Sequence, residues 1–484
     1  MNLFRRSRLV PAVALLAAVS AAALAEVCAC PPERHHPVTL SLFPPISTNG
    51  CLGPEVKSNF ALNIIGGYLG ALEGFELGGL FNFERYHVTG IQIAGGYNRA
   101  GGDLTGLQLG ALNCTRGDAY ALQLGAFNRA VGDQRFAQVG AGNIGHSSAI
   151  TQLGGFNFAG DWTAFTLGAV NWTCGKTGLQ LGAFNKARGG VWAAQVGGFN
   201  ITGGCVPFQL GALNGAGGNS GVQLGGFNLG GADNCIELGG VNILRGVSAF
   251  QLGAVNLAGG MYDTDNPLGL IRAFYPRLGG VQLGGINAAG GSFGAQVGLV
   301  NIASEARWFQ LGAFNLARES EVPVGPLNVI LNGQFRIAAF ASEAGLGHFE
   351  LKTGGRHFYN VLSFGYLPID SARVLLGYGV GGHFPCCGER LFLDADLVGF
   401  RVNPMDDLMS FDGTSYLAKL RATGGWRVAP PFALIGGLAA NAWLSDSETG
   451  ADIPALPIPM LTMEGETNIS IWPGIQFGFE LRAW

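Results

Sequence analysis

One short pattern of apolar and polar positions recurs along most of the chain: apolar, Gln, Leu or Val, Gly, Ala or Gly, apolar, Asn. Clear copies run from Leu122 to Asn128, from Ala194 to Asn200 and from Val222 to Asn228. The closing Asn falls at 82, 98, 113, 128, 143, 157, 171, 185, 200, 214, 228, 242, 256, 287, 301, 315 and, degenerately, 328, which makes 17 copies mostly 14 or 15 residues apart. A period this short is too small for a helical hairpin or a propeller blade, whereas strand, bend and return fit one coil of a narrow β-solenoid. On this reading the apolar residues flanking Gln share one face, the small Gly-Ala or Gly-Gly pair makes the bend, the next apolar residue returns inward, and Asn closes the corner. Stacking then aligns Gln123, Asn128, Gln195, Asn200, Gln223 and Asn228 with their equivalents in structural ladders, where an amide both donates and accepts. The long step from 256 to 287 holds an insertion (257–280), read as a loop leaving the array.

After Asn328 the period gives way to strict alternation. Between Thr414 and Val428, Tyr416, Ala418, Leu420, Ala422, Gly424 and Trp426 share one face and Lys419, Arg421, Thr423 and Arg427 the other. Similar segments run over 328–341, 345–353, 357–367, 372–384, 389–402, 432–444 and 469–483. Eight strands close a small antiparallel β-barrel filled by its own side chains. The predicted class is therefore all-β, a repetitive β-solenoid followed by a small C-terminal barrel. The alternative is one large transmembrane β-barrel in which every copy is a membrane strand, favoured by the scarcity of charge. The mixed faces of the repeat and its nearly uniform connections count against it.

Composition narrows the function. Gly supplies 81 of 484 residues, charged residues only 12%, and mean hydropathy is +0.29. Beyond the first 25 residues no uninterrupted apolar run of about 20 could cross a bilayer as a helix, so any membrane domain must be built from strands. A net charge of −4 gives no electrostatic footprint for nucleic acid. Arg5, Arg6 and Arg8 precede the apolar stretch Leu9 to Leu24, and Ala23-Leu24-Ala25 ends it, the layout of a cleavable signal peptide. The domain boundaries that follow are 1–25 signal peptide, 26–56 Pro-rich linker, 57–328 solenoid and 329–484 barrel.

Chemistry is sparse. Nine cysteines without a repeated C-x-x-C spacing make no complete disulfide framework. Cys28-x-Cys30 with His35-His36 lies in the Pro-rich tether, where metal ligands are not preorganised, so neither a metal nor another cofactor is expected. Asp394 and Asp396 on one strand face two readings, an acid/base pair or part of a salt-bridge network with Lys419, Arg421, Glu480 and Arg482 that fills the lumen. The network is the plainer one, and no catalytic residue is assigned. Trp162, Trp172, Trp192 and Trp308 are candidate contacts for a glycan, an envelope polymer or a protein ligand, against the plainer reading of ordinary packing.

These residues resemble the exported surface repeat-containing proteins of Gram-negative bacteria and spirochaetes. The resemblance rests on Phe43-Pro44-Pro45-Ile46-Ser47-Thr48-Asn49-Gly50, Asn59-Phe60-Ala61-Leu62-Asn63, Gly74-Phe75-Glu76-Leu77-Gly78-Gly79, the Gln-x-Gly-x-x-Asn array and Lys352 to Asn360. Trp484 looks like the terminal aromatic of outer-membrane barrels, one residue out of phase with Ile475, Phe477, Phe479 and Leu481. The resemblance implies export to the cell envelope and brings no catalytic residues. The expected function is a non-catalytic envelope protein, structural or binding in an adhesin- or scaffold-like way, attached to the outer membrane by its C-terminal region with the repeats on the surface or in the periplasm. The alternative is a pore or transporter made by a single large barrel.

Overall fold

The computed structural model describes residues 32, 34–259, 280–368, 373–386, 388, 390–405, 415–446, 460–463, 465 and 467–482. The expected signal peptide, Cys28, Cys30, the body of the insertion, Cys387 and Trp484 lie outside the described residues. The chain divides into two compact units, Met1–Phe158 and Ala159–Trp484. Both contain repeat coils, and the second also contains the barrel.

In the first unit the copy around Gln123 folds as Ala119–Leu124, a bend at Gly125-Ala126, Phe127–Ala130 and a second bend through Asp133. Each strand pairs in parallel with its equivalent in neighbouring coils, Gln123 opposite Gln108 and Gln138, Asn128 opposite Asn113 and Asn143. The second unit repeats this register, with Gln209 opposite Gln195 and Gln223, and Asn214 opposite Asn200 and Asn228. The motif glycine is dictated by stacking: a Cβ on Gly211 would sit 2.2 Å from the Gly197 carbonyl oxygen and 2.6 Å from the Asn200 amide nitrogen.

Two expectations are corrected. The large apolar residues of the repeat point outward, not inward. Phe127 and Phe227 are 55% and 54% exposed, whereas Gln123, Asn128, Gln195, Asn200, Gln223 and Asn228 are buried. Alternation is the reason: on Ala119–Leu124, Gln shares its face with Ala119 and Ala121, and on Phe127–Ala130, Asn shares its face with Ala130. An interior bounded by two close strands accommodates alanine and stacked amides, and Tyr120, Leu122, Leu124 and Phe127 fall on the opposite face. Asn therefore sits within a strand and does not close a corner.

The second correction concerns the expected linker. Arg34–Phe43 is a strand, paired in parallel with Val56–Asn63 from Arg34 opposite Val56 to Ser41 opposite Asn63. Thr39 and Ser41 face inward and Val38, Leu40 and Leu42 outward. Pro44, Pro45 and Pro54 are accommodated after this strand, Pro54 in the 3-10 turn Gly50–Glu55. The array thus starts one coil before residue 57.

At the other end, Leu327–Ile330 belongs to the last coil, and the barrel opens at Gln334. Its eight strands are Gln334–Ser342, Gly345–Gly354, Phe358–Leu367, Arg373–Cys386, Leu391–Pro404, Ser415–Ala429, Phe432–Asp446 and Thr467–Arg482. They pair antiparallel in sequence order, and the first closes on the last, with Ala338 opposite Glu480. A short strand, Leu461–Met463, adds to the last one. The single-large-barrel alternative is therefore wrong: the repeats pair in parallel, coil on coil, and only the C-terminal strands form an antiparallel closed sheet.

Candidate functional site

The barrel wall sorts its side chains as alternation requires. Leu393, Leu397, Tyr416, Leu420, Trp426, Ile475 and Phe477 face outward and are exposed, while Asp394, Asp396, Lys419, Arg421 and Glu480 face inward and are buried. Arg336 Nη1 donates to Asp394 Oδ2 (2.8 Å) and Glu480 Oε1 (2.9 Å). Lys352 Nζ donates to the same Asp394 oxygen at 3.0 Å, and the other oxygen lies 2.6 Å from His383 Nδ1. Arg421 donates to Glu350 Oε1 (2.6 Å) and, through Nε, to Asp396, whose second oxygen accepts from Tyr359 Oη at 2.8 Å. Lys419 Nζ donates to Ser342 and lies 3.7 Å from Glu343. The rest of the lumen holds Val361, Leu375, Val398, Phe400, Leu417, Trp443 and Trp472. Asp394 and Asp396 are thus each matched by cations within a packed interior, the salt-bridge arrangement. Arg482 stands in register with Arg336 across the closing seam.

Within each unit the amides form two rows of opposite polarity. Gln Nε2 donates toward the preceding coil: Gln209 to Gln195 at 2.8 Å and Gln223 to Gln209 at 2.7 Å. Asn Nδ2 donates toward the following coil, Asn200 to Asn214 and Asn214 to Asn228, both at 2.9 Å. The second hydrogen of Asn200 reaches the Leu210 carbonyl at 2.8 Å. The first unit has the same polarity, Gln123 donating to Gln108 and Asn128 to Asn143, both at 2.9 Å. Side-chain dipoles in the two rows therefore oppose one another.

Glutamate stands in the Gln position twice. Glu237 accepts from Gln251, and Asn234 donates to Gln223 Oε1 at 3.0 Å and to Glu237. Glu76 begins the Gln row of the first unit, accepting from Gln92 (3.1 Å) and Asn63 (2.7 Å), and Gln92 also donates to Glu84. Burial pushes both carboxyls up, Glu84 well above the ordinary range, with repulsion from Glu76 adding to it.

The structure brings two of the four candidate tryptophans together, the Trp162 and Trp192 rings at 5.9 Å. Trp172 lies on the return strand Val170–Thr173 with Lys186 Nζ 4.2 Å from its ring centroid, and Trp308 is 39% exposed on Val300–Leu311. They line no common pocket among those described. Cys51, Cys114, Cys174, Cys205, Cys235 and Cys386 are free thiols, and among the described residues no His, Cys, Asp or Glu group is arranged for a metal.

Sequence reasoning missed the joint between the last coil and the barrel. Asn360 Oδ1 accepts from Gly325 N (3.1 Å) and Tyr378 Oη (2.7 Å), and its amide donates to the Pro323 carbonyl. Asn328, the last of the Asn row, donates to the Gly325 carbonyl at 2.7 Å, so the ladder ends on main chain. The signal was present at Tyr359-Asn360, within the segment carrying the family resemblance, but nothing in its spacing revealed a partner at 323–325.

No protein-family model matches the chain, and neither a curated protein nor a solved structure is significantly similar to it.

Proposed function

We propose that this is a non-catalytic, exported envelope protein held in an outer membrane by its C-terminal barrel, with the array as a scaffold or binding element. The resemblance to surface repeat-containing proteins points the same way. The observation that carries the reading is the barrel itself: eight closed strands with an apolar outer wall and internally paired charges, the arrangement a strand-built membrane domain needs.

Strand number supports a side. Eight crossings return the chain to the face from which it came; the three connections on that face span 355–357, 387–390 and 430–431, whereas the opposite face joins Ser342 to Gly345, Leu367 to Arg373, Pro404 to Ser415 and Asp446 to Thr467, the last two across the longest stretches of sequence. Outer-membrane barrels keep short turns in the periplasm. The repeats then belong to the periplasmic side, where a glycan or other envelope polymer is a more accessible partner than another cell. The pore alternative loses its basis with the large barrel, since the small lumen is filled by ion pairs and aromatic side chains.

Refolding into detergent or lipid tests this reading. The barrel is expected to give heat-modifiable electrophoretic mobility without discrete conductance in planar bilayers. Stepwise conductance would restore the pore, and the absence of a heat-modifiable form would remove the anchor.

A further inference from the structure

The array is built inside-out compared with a water-soluble solenoid, and the consequence is clearest in the coils of the second unit. Their outward faces carry columns of large apolar side chains: Phe199 and Phe227 before Asn, Leu210 and Leu252 after Gln, Ile201 and Leu229 after Asn, all 38–54% exposed. Single exposed apolar residues are ordinary, but a column renewed in every coil is not.

Charge is confined to one edge of the coil. Asp161, Lys176, Arg188, Asp233 and Arg245 all fall at the bend that follows the Asn strand, and Glu305, Arg318 and Glu319 fall at the equivalent place within the continuous strands Val300–Leu311 and Phe314–Val324. Among the described residues of 159–330 the exceptions are Lys186, Arg307, Glu321 and the interior Glu237. Lys186 lies over Trp172, and long cationic side chains bring their heads to water along their own stems. The opposite edge is Gly-Ala or Gly-Gly and carries no polar side chain from Gly168 to Ala313. Each coil is a wedge, apolar on both faces and one edge, charged on the other.

Much of the main chain of this wedge is paired with neighbouring coils. Coils pair in parallel, and the amides of the uncharged bend also bond to the neighbouring coil, as Gly197 N does to Leu210 O (2.9 Å) and Leu213 N to Gly198 O (3.0 Å). Internal pairing of backbone groups is what contact with hydrocarbon demands. Interior amides pair in the same way along the two rows.

The last coil also joins the barrel on its outer wall. Tyr359 faces the lumen, so Asn360 faces outward, as does Tyr378. Val297, Leu311 and Val324 of the coils form with Tyr378 an apolar cleft of about 530 Å³. The apolar surface of the coils therefore continues into the apolar wall of the barrel, close to its short-turn end.

We propose that the coils between Ala159 and Ile330 lie in the lipid bilayer beside the barrel, with the Gly-Ala edge in the hydrocarbon and the charged edge at the headgroups. From Val206 to the Gly211 bend a coil reaches about 17 Å, about the depth of one leaflet of a hydrocarbon core about 30 Å thick and short of crossing it. Trp162 and Trp192, beside the charged edge, then occupy the interfacial belt where such rings concentrate. The inference rests on insertion of the barrel, as proposed above.

The test uses the full wild-type chain refolded into phosphatidylcholine vesicles doped with a phospholipid carrying a photoactivatable diazirine at the end of one acyl chain. Adducts are mapped by mass spectrometry after chymotryptic digestion. Adducts on Ile475–Leu481 report barrel insertion; comparable yields on Phe199–Ile201 and Phe227–Leu229, lost at Arg188 and Arg245, support the proposal. Adducts on the barrel but none on the coils overturn it while leaving the anchor intact, the outcome expected if a second copy or a soluble partner covers the array. No adduct on either overturns both.

Discussion

The array and the barrel bury polar groups by different means under the same kind of apolar exterior. In the array most of the buried groups are neutral amides, and a Gln or Asn is typically paired with its own copy one coil away. In the barrel they are ions shared among unlike residues on different strands, as Asp394 is held by Arg336, Lys352 and His383 while Arg336 also holds Glu480. A ladder can be lengthened by repetition because every rung is both donor and acceptor. An ion network cannot, because its members are unlike one another and their arrangement does not recur along the chain. The ladder in turn needs special residues where repetition stops: Glu76 as an acceptor at one end of the Gln row, and Gly325 beneath Asn328 at the end of the Asn row.

The largest effect that would sharpen this contrast is in the lumen. Arg336→Ala leaves Asp394 and Glu480 short of a buried partner, and loss of one side of a buried ion pair costs about 3–5 kcal/mol. Urea unfolding of the refolded barrel should show that loss. Asn228→Ala should cost less, about 1–3 kcal/mol, because it orphans only neutral groups: the Asn214 amide donor and the Asn242 oxygen that accepted from Asn228. Local hydrogen exchange in coils 200–256 reads it. An equal or greater loss at Asn228 would break the contrast between unlike ions and repeated amides.

The smallest effect is a pH dependence in the coils of the first unit. Glu76 and Glu84 have raised folded-state pKa values, so the folded form holds protons that the unfolded chain has released. Their contribution is full below the ordinary value of 4.5 and is lost as pH rises through the raised values. Glu84→Gln keeps an acceptor for Gln92 and removes the titration. It should slow hydrogen exchange of coils 71–100 at pH 8 and change it little at pH 4. A benefit at pH 4 equal to that at pH 8 would contradict the assignment.

Much of this was legible in the sequence, for identifiable reasons. Strict alternation, as in Tyr416 to Arg427, located the barrel strands within a few residues and assigned Lys419 and Arg421 to the lumen. The fixed spacing of Gln123 and Asn128 from their neighbours gave the ladder. The sense of the array was misread because burial of apolar side chains was assumed, although Ala119 and Ala121 share a face with Gln123 and already marked a narrow interior. The strand at Arg34–Phe43 was hidden by the prolines that follow it, and its partner Val56–Asn63 lacks the Gln motif. The Asn360 joint connects positions 35 residues or more apart in sequence, which no local pattern encodes.

The central claim, a barrel anchor with the repeats on its short-turn side, is tested most directly by protease-cleavable epitope tags. One is placed between Met405 and Ser415 and another at the charged edge of the array, at Gly217-Gly218. On intact cells the first tag should be cleaved and the second protected, with cleavage of the second only after the outer membrane is opened. Cleavage of the array tag on intact cells would contradict the account and put the repeats on the cell surface.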